Sequence, residues 1–280
     1  MNIGLALHPY GEKNVAGLGR ANLALVRSII EQDDNNTYTV FVKGIGHKRP
    51  NIAGNNWNFQ EVGGGMFWLD CMMRGLRMDA YIFFTPMIPF FLKPKRFIVV
   101  AHDFAYRHLQ ARSWKSAFIN KILFYLHRRS LRKATRVITV SEYTRTEVMT
   151  QFNISPEHVV AISNGYDNIC NDILEEEVDI QQPFFLCVGI LKYRKNIHRT
   201  IQAFAKFKKN DTKGFKLIIV GKGSGEYYEN LKKSVHKEGI SDYVTFWGYA
   251  NDDTFRENLI KSGMKRSEEF SWEKTGREYI

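Results

Sequence analysis

A chain of 280 residues with 44% hydrophobic content is long enough for one large domain or two moderate ones, and its composition excludes a fibre or a disordered tail. Its formal charge of +11 is concentrated in residues 93–145, where thirteen Lys and Arg meet only Asp103 and Glu142, so the rest of the chain is neutral overall. Cys71, Cys170 and Cys187 match no metal-ligand or redox spacing, which argues against a zinc module or disulfide framework and leaves reduced thiols.

The opening MNIGLALHPYG runs straight into strand-like sequence without a basic leader, so no signal peptide and a cytosolic location are expected. β-Branched and aromatic runs predict strands at Asn2–Leu7, Tyr38–Val42, Asn58–Val62, Ala80–Phe84, Phe97–Ala101, Arg136–Val140 and Val159–Ile162. Segments of helical period fill the gaps at Leu18–Glu31, Phe67–Leu76, Ser113–Lys133 and Tyr143–Gln151. This alternation is the pattern of an α/β fold with a mostly parallel sheet. The apolar run Tyr81–Leu92 holds two prolines and falls short of the roughly 20 residues of a membrane span. It reads as a buried strand continuing into a loop.

Between Arg112 and Lys133, seven basic residues are interleaved with Trp114, Phe118, Ile122, Leu123, Tyr125 and Leu126, and no acid intervenes. Two readings stand: a basic amphipathic helix at an anionic membrane surface, or a surface helix whose apolar stripe faces its own core. Nucleic-acid binding has charge in its favour but no recognition motif.

Ser163-Asn164-Gly165-Tyr166-Asp167 and the acidic stretch after it predict a boundary. The expected division is an N-terminal domain 1–168, a linker 169–182, a second domain 183–255 and closing helices 256–280. In the second domain, strands are predicted at Phe184–Val188, Phe215–Val220 and Val244–Trp247, with helices at Asn196–Lys208 and Tyr227–Lys237.

Four motifs bear on chemistry. Gly17 and Gly19 lie between the first strand and the first helix, where a plain glycine turn and close approach to an anion are both open. His102-Asp103 follows the strand Phe97–Ala101, where an imidazole can meet a sugar hydroxyl or phosphate, hold a proton near neutral pH, or simply pair with the neighbouring loop. In the loop Gly189–Asn196, Arg194 and Lys195 precede a helix whose expected N-cap is Asn196, suiting a diphosphate. Gly221-Lys222-Gly223-Ser224-Gly225 is spaced GxGxG rather than GxGxxG, which argues against a nicotinamide site while leaving room for a nucleotide.

The order of Gly17-x-Gly19, His102-Asp103, Val140–Arg145, Ser163–Asp167, Gly189 to Asn196, Val220–Gly223 and Phe246–Tyr249 resembles family 4 glycosyltransferases over nearly the whole chain. The resemblance implies a GT-B fold of two Rossmann-like domains, retaining transfer from a nucleotide-sugar and no catalytic metal or other cofactor. It implies an acceptor that is a glycan or lipid-linked saccharide, in polysaccharide or cell-envelope biosynthesis. By position, Arg194 and Lys195 would hold the donor diphosphate and His102 the transferred sugar. Gly17, Gly19, Gly189, Gly221 and Gly223 would line the phosphate-binding side, and Asp103 and Ser141 the acceptor side. One departure stands out. Residues 251–263 pass straight from the Gly-Tyr strand towards the closing helices, without the family's Glu-Gly-Phe-Gly-Leu-Pro-like segment. The second domain is therefore expected to be truncated to about three parallel strands, with a junction near Phe255-Arg256 and an exposed third strand. A catalytically impaired relative that keeps acceptor or membrane-surface binding is the alternative reading.

Overall fold

A computed structural model describes residues 1–11, 17–108, 113–165 and 183–248. Within these ranges every expected strand and helix forms, with ends displaced by no more than two residues. The described residues fall into two compact units, one within 1–165 and the other within 183–248. The expected limits at 168 and 255, the linker, the closing helices, Cys170 and the Phe255-Arg256 junction all lie outside the described residues.

The first unit holds β1 (Asn2–Leu7), α1 (Gly17–Gln32), β2 (Thr37–Lys43), β3 (Trp57–Val62), α2 (Trp68–Gly75), β4 (Ala80–Phe83), β5 (Phe97–Ala101), α3 (Ala105–His108), α4 (Trp114–Lys133), β6 (Arg136–Thr139), α5 (Glu142–Phe152) and β7 (Val159–Ala161). The strands form one parallel sheet in the order β3-β2-β1-β4-β5-β6-β7, so the order reverses between β1 and β4. Alternation along β1 explains the two-sided core. Leu5 and Leu7 pack with Leu25, Val26, Ile29 and Ile30 of α1. Ala6 faces the opposite layer, where Met72 of α2, Leu131 of α4 and Val148 and Phe152 of α5 pack. Helix starts are encoded locally. Ser113 and Ser116 form a reciprocal capping box on α4, and Ser141 caps α5 by accepting from the Thr144 N–H at 3.1 Å.

The connection from β4 to β5 carries the prolines of the apolar run and contains no helix of its own. Asp70 of α2, only 2% exposed, accepts the backbone N–H groups of Phe90, Phe91 and Leu92 at 2.8–2.9 Å. From the other side Arg129 of α4 donates to the carbonyls of Pro89 and Phe90 at 2.9–3.0 Å. Burial pushes the Asp70 pKa up, but the N–H groups of Leu92, Phe90 and Phe91 outweigh it and hold the carboxyl below its ordinary value. An Asp70→Ala chain is expected to lose about 2–3 kcal/mol in urea denaturation, because three backbone donors lose one buried, charged acceptor. Because the folded-state pKa is the depressed one, this contribution is present above the unfolded carboxyl value of about 3.9. It disappears as pH falls through the lower folded value. A variant with the parent's urea midpoint at neutral pH would dismiss this role.

The second unit holds β8 (Phe184–Val188), α6 (Ile197–Lys208), β9 (Lys216–Val220), α7 (Gly225–Lys237) and β10 (Val244–Gly248), with a parallel sheet in the order β10-β9-β8. Ile197, Ile201 and Phe204 of α6 and Leu231 and Val235 of α7 pack on Leu217 and Ile219 of the central strand. Among the described residues the third strand β10 is an edge, as expected, and β8 is the other, with Phe185 and Val188 exposed.

Candidate functional site

In the first unit the candidate residues all lie at the carboxyl edge of the sheet, where open α/β sheets bind ligands: Gly17 and Gly19 after β1, beside the reversal between β1 and β4, His102 and Asp103 after β5, and Ser141 after β6. Asn22, fully buried on α1, donates from Nδ2 to the carbonyls of His8 at 3.0 Å and Phe84 at 3.4 Å, tying the ends of β1 and β4 together. Its Oδ1 is buried without a protein partner. Sequence reasoning missed Asn22, although a polar residue on the apolar stripe Leu18, Leu25 and Ile29 was the available signal. Gly17 opens α1 with open space where a Cβ would lie, so that position does not demand glycine. Gly19 is buried in the same turn.

His102 follows β5 directly. Its carbonyl accepts from Thr144 Oγ1 at 3.1 Å, and Thr144 Oγ1 lies 3.0 Å from Ser141 Oγ, so the α5 cap fixes the His102 backbone. The ring is half-buried, and its Nε2 is shielded from solvent without a hydrogen-bond partner among the described residues. Burial, only partly offset by the Asp103 charge, pushes the His102 pKa down to about 4. Of the roles open to it, holding a proton near neutral pH is the one this burial disfavours, because desolvation penalises the cation and favours the neutral imidazole, a single-proton donor or acceptor. Asp103 is exposed, and its Oδ1 accepts the Ala105 N–H at 3.3 Å at the start of α3. Asp103 and Ser141 thus both serve as local caps.

In the second unit the loops after β8 and β9 are clasped to each other and to the end of β10. Gly189 N–H donates to the Val220 carbonyl at 2.9 Å, Leu191 N–H to Lys222 at 3.0 Å and Gly221 N–H to Gly248 at 2.6 Å. Gly221 has φ 153°, and a Cβ there would lie 1.8 Å from the Gly189 carbonyl oxygen. Only glycine permits this approach of two backbones. A Cβ on Gly223 would instead meet the Tyr228 ring at 2.4 Å.

Tyr193–Lys195 form a single 3-10 turn closed by the Asn196 N–H on the Tyr193 carbonyl at 3.0 Å. The turn leaves Arg194 and Lys195 exposed and brings Lys195 Cε to 3.7 Å from where a Gly189 Cβ would stand. The Cys187 thiol feels the result: burial raises its pKa and the Lys195 charge pulls it back. Asn196 does stand at the head of α6, but closing the 3-10 turn puts it in the left-handed region at φ 57°, so its side chain makes no cap bond. The Tyr227 hydroxyl lies 3.4 Å from His198 Nδ1, and burial raises its pKa, a rise that the backbone of His198 and Ile197 moderates. Its ring centroid lies 4.0 Å from that of Tyr193. No side-chain cap occupies the first turn of α6, which lies next to the exposed Arg194 and Lys195. Among the described residues no three His, Cys, Asp or Glu side chains converge as a metal-ligand group.

Two family profiles match the chain, Glycosyltransferase Family 4 over residues 42–168 and Glycosyl transferases group 1 over residues 172–262. An uncharacterized glycosyltransferase of Methanocaldococcus jannaschii is 31% identical over 141 residues, 46% of this chain and 35% of its own length. The O-antigen chain mannosyltransferase of Salmonella typhimurium is 29% identical over 134 residues, 48% of this chain and 35% of its length. The chain thus matches about a third of the length of these curated relatives. The crystal structure of Anabaena HepE in complex with UDP and glucose aligns over 90% of this chain and 70% of its own, with TM-score 0.60 and 16% identity.

Proposed function

We infer that this chain, which its family matches indicate is a glycosyltransferase of GT-B-like α/β fold, moves a sugar from a nucleotide-sugar to a glycan or lipid-linked acceptor, with retention, in cell-envelope polysaccharide assembly. The observation that carries this reading is the glycine clasp of the second unit, which leaves Lys195 lying over Gly189 and Arg194 beside it at the carboxyl edge of the sheet. Two cations held there match a diphosphate in charge and offset the negative charge that develops as it leaves. The relative bound to UDP and glucose supports a nucleotide-sugar donor. His102, neutral and with a free Nε2, suits a hydrogen bond to a sugar hydroxyl or phosphate oxygen. No divalent ion enters this scheme, because Arg194 and Lys195 take the charge-offsetting role.

Titration calorimetry with a panel of nucleoside diphosphates, followed by donor-sugar hydrolysis assays, tests the reading. Binding and release of sugar are expected; no heat at millimolar nucleotide would sink it. Nucleotide binding without turnover of any donor would favour the impaired relative, which the departure in residues 251–263 motivates. If His102 acts as a neutral group, kcat/KM should show no inflection at the ordinary histidine value of about 6.5 that a His102→Asn variant abolishes. An inflection there that the variant removed would reverse the assignment.

A further inference from the structure

Helix α4 is turned inside out relative to an ordinary surface helix. It meets the core of its unit through Phe124, His127 and Leu131, with the Phe104 and His127 rings 5.7 Å apart. On the outward side Trp114, Phe118, Ile122 and Tyr125 recur at the spacing of one helical face, and Trp114, Phe118 and Tyr125 are 75%, 60% and 68% exposed. Ile119 beside them is exposed as well. Lys115, Lys121, Arg128, Arg132 and Lys133 flank this face, all exposed, and the helix contains no acid.

We propose that this outward face of α4 docks on an anionic phospholipid bilayer, its aromatic residues entering the headgroup layer and its basic residues meeting lipid phosphates. Isolated exposed apolar side chains need no explanation, but a contiguous aromatic face bordered only by cations is the composition of an interfacial helix. Aromatic rings with one polar end and lysine and arginine stems suit the boundary between tails and headgroups. Desolvation, and after it the charges of Arg129 and Lys93, hold the Lys133 ammonium below its usual pKa, a local excess of like charge for which α4 supplies no counter-ion. Arg129 also ties the 84–92 connection to α4, and Phe91, 71% exposed, adds to the apolar surface there.

Topology gives the docking a direction. Because α4 returns from the carboxyl end of β5 to the start of β6, Trp114 and Phe118 lie towards the sheet edge that carries His102. A lipid-linked acceptor anchored in that bilayer would present its head near this edge. The docking itself does not depend on the transferase reading.

The test is flotation of the full chain with phosphatidylcholine vesicles made with or without phosphatidylglycerol. The parent chain is expected to float with the anionic vesicles and to partition at least about tenfold less onto the neutral ones. A Trp114→Ala/Phe118→Ala/Tyr125→Ala chain should keep its far-ultraviolet circular dichroism and nucleotide binding and lose at least about tenfold in partitioning. If the triple variant misfolds, Trp114→Ala alone is expected to give a smaller loss of the same sign. A Lys115→Gln/Lys121→Gln/Arg128→Gln chain should lose the preference for anionic lipid. Failure of the parent on both vesicles overturns the proposal. So does flotation untouched by the aromatic substitutions, or flotation abolished by competing duplex RNA, which would mark a nucleic-acid surface instead.

Discussion

Lys195→Ala is expected to lower kcat for sugar release from a nucleotide-sugar by about 10²–10³-fold, with Arg194→Ala close behind. The reason is geometric. The turn brings Lys195 Cε to 3.7 Å from where a Gly189 Cβ would stand, which sets the exposed cation at the mouth of the loop after β8. A cation that merely binds the donor raises KM; one that meets the charge developing on the leaving diphosphate lowers kcat, and the split between the two parameters distinguishes them. The double variant should lose less than the product of the single losses, because both cations serve one anion. Turnover should survive a chelator such as EDTA. Unchanged kcat/KM in both single variants would remove the phosphate clamp from the mechanism.

Gly221→Ala is expected to be among the most damaging single changes in the second unit. The added methyl would stand 1.8 Å from the Gly189 carbonyl oxygen, a backbone atom that cannot rotate away, and an L-residue would sit at φ 153°. Overpacking costs about 1–3 kcal/mol and a strained backbone position about 1–3 more. A loss of about 3 kcal/mol or greater is therefore expected. Hydrogen exchange of the full chain is the measurement, with faster exchange in β8, β9 and α6 and unchanged protection in β1 and β4. Gly223→Ala is the control, since its Cβ meets the Tyr228 ring, a side chain that can move. Equal protection in the Gly221 variant and the parent would mean that the two loops are not in contact.

Much of this arrangement was legible in advance where the deciding residues are close together in the chain. The Ser113–Ser116 capping box and the Ser141 cap depend on partners three positions apart. Strands such as Phe97–Ala101 and Phe184–Val188 are continuous apolar runs that needed no tertiary information. The positions of Arg194 and Lys195, after a strand and before a helix, were equally plain. The partners of Asp70 and Asn22 were not, because they lie 14 to 62 positions away, and a polar residue on the apolar stripe marks Asn22 without saying what it binds. The Asn196 cap misread local signals of similar strength, and the need to close the 3-10 turn won.

By itself, then, the sequence determined the alternation of strands and helices, the parallel class of the sheets, the two cations after β8 and the location of the basic block. All of these follow from periodicity, turn chemistry and charge within short windows. Tertiary structure alone decided that burial lowers the His102 pKa, that Gly189 and Gly221 touch, and that the apolar stripe of α4 points outward rather than into its own core. Those outcomes depend on which distant segments displace water from a given side chain. That displacement sets the cost of a buried charge, the room left for a Cβ and the face a helix leaves uncovered.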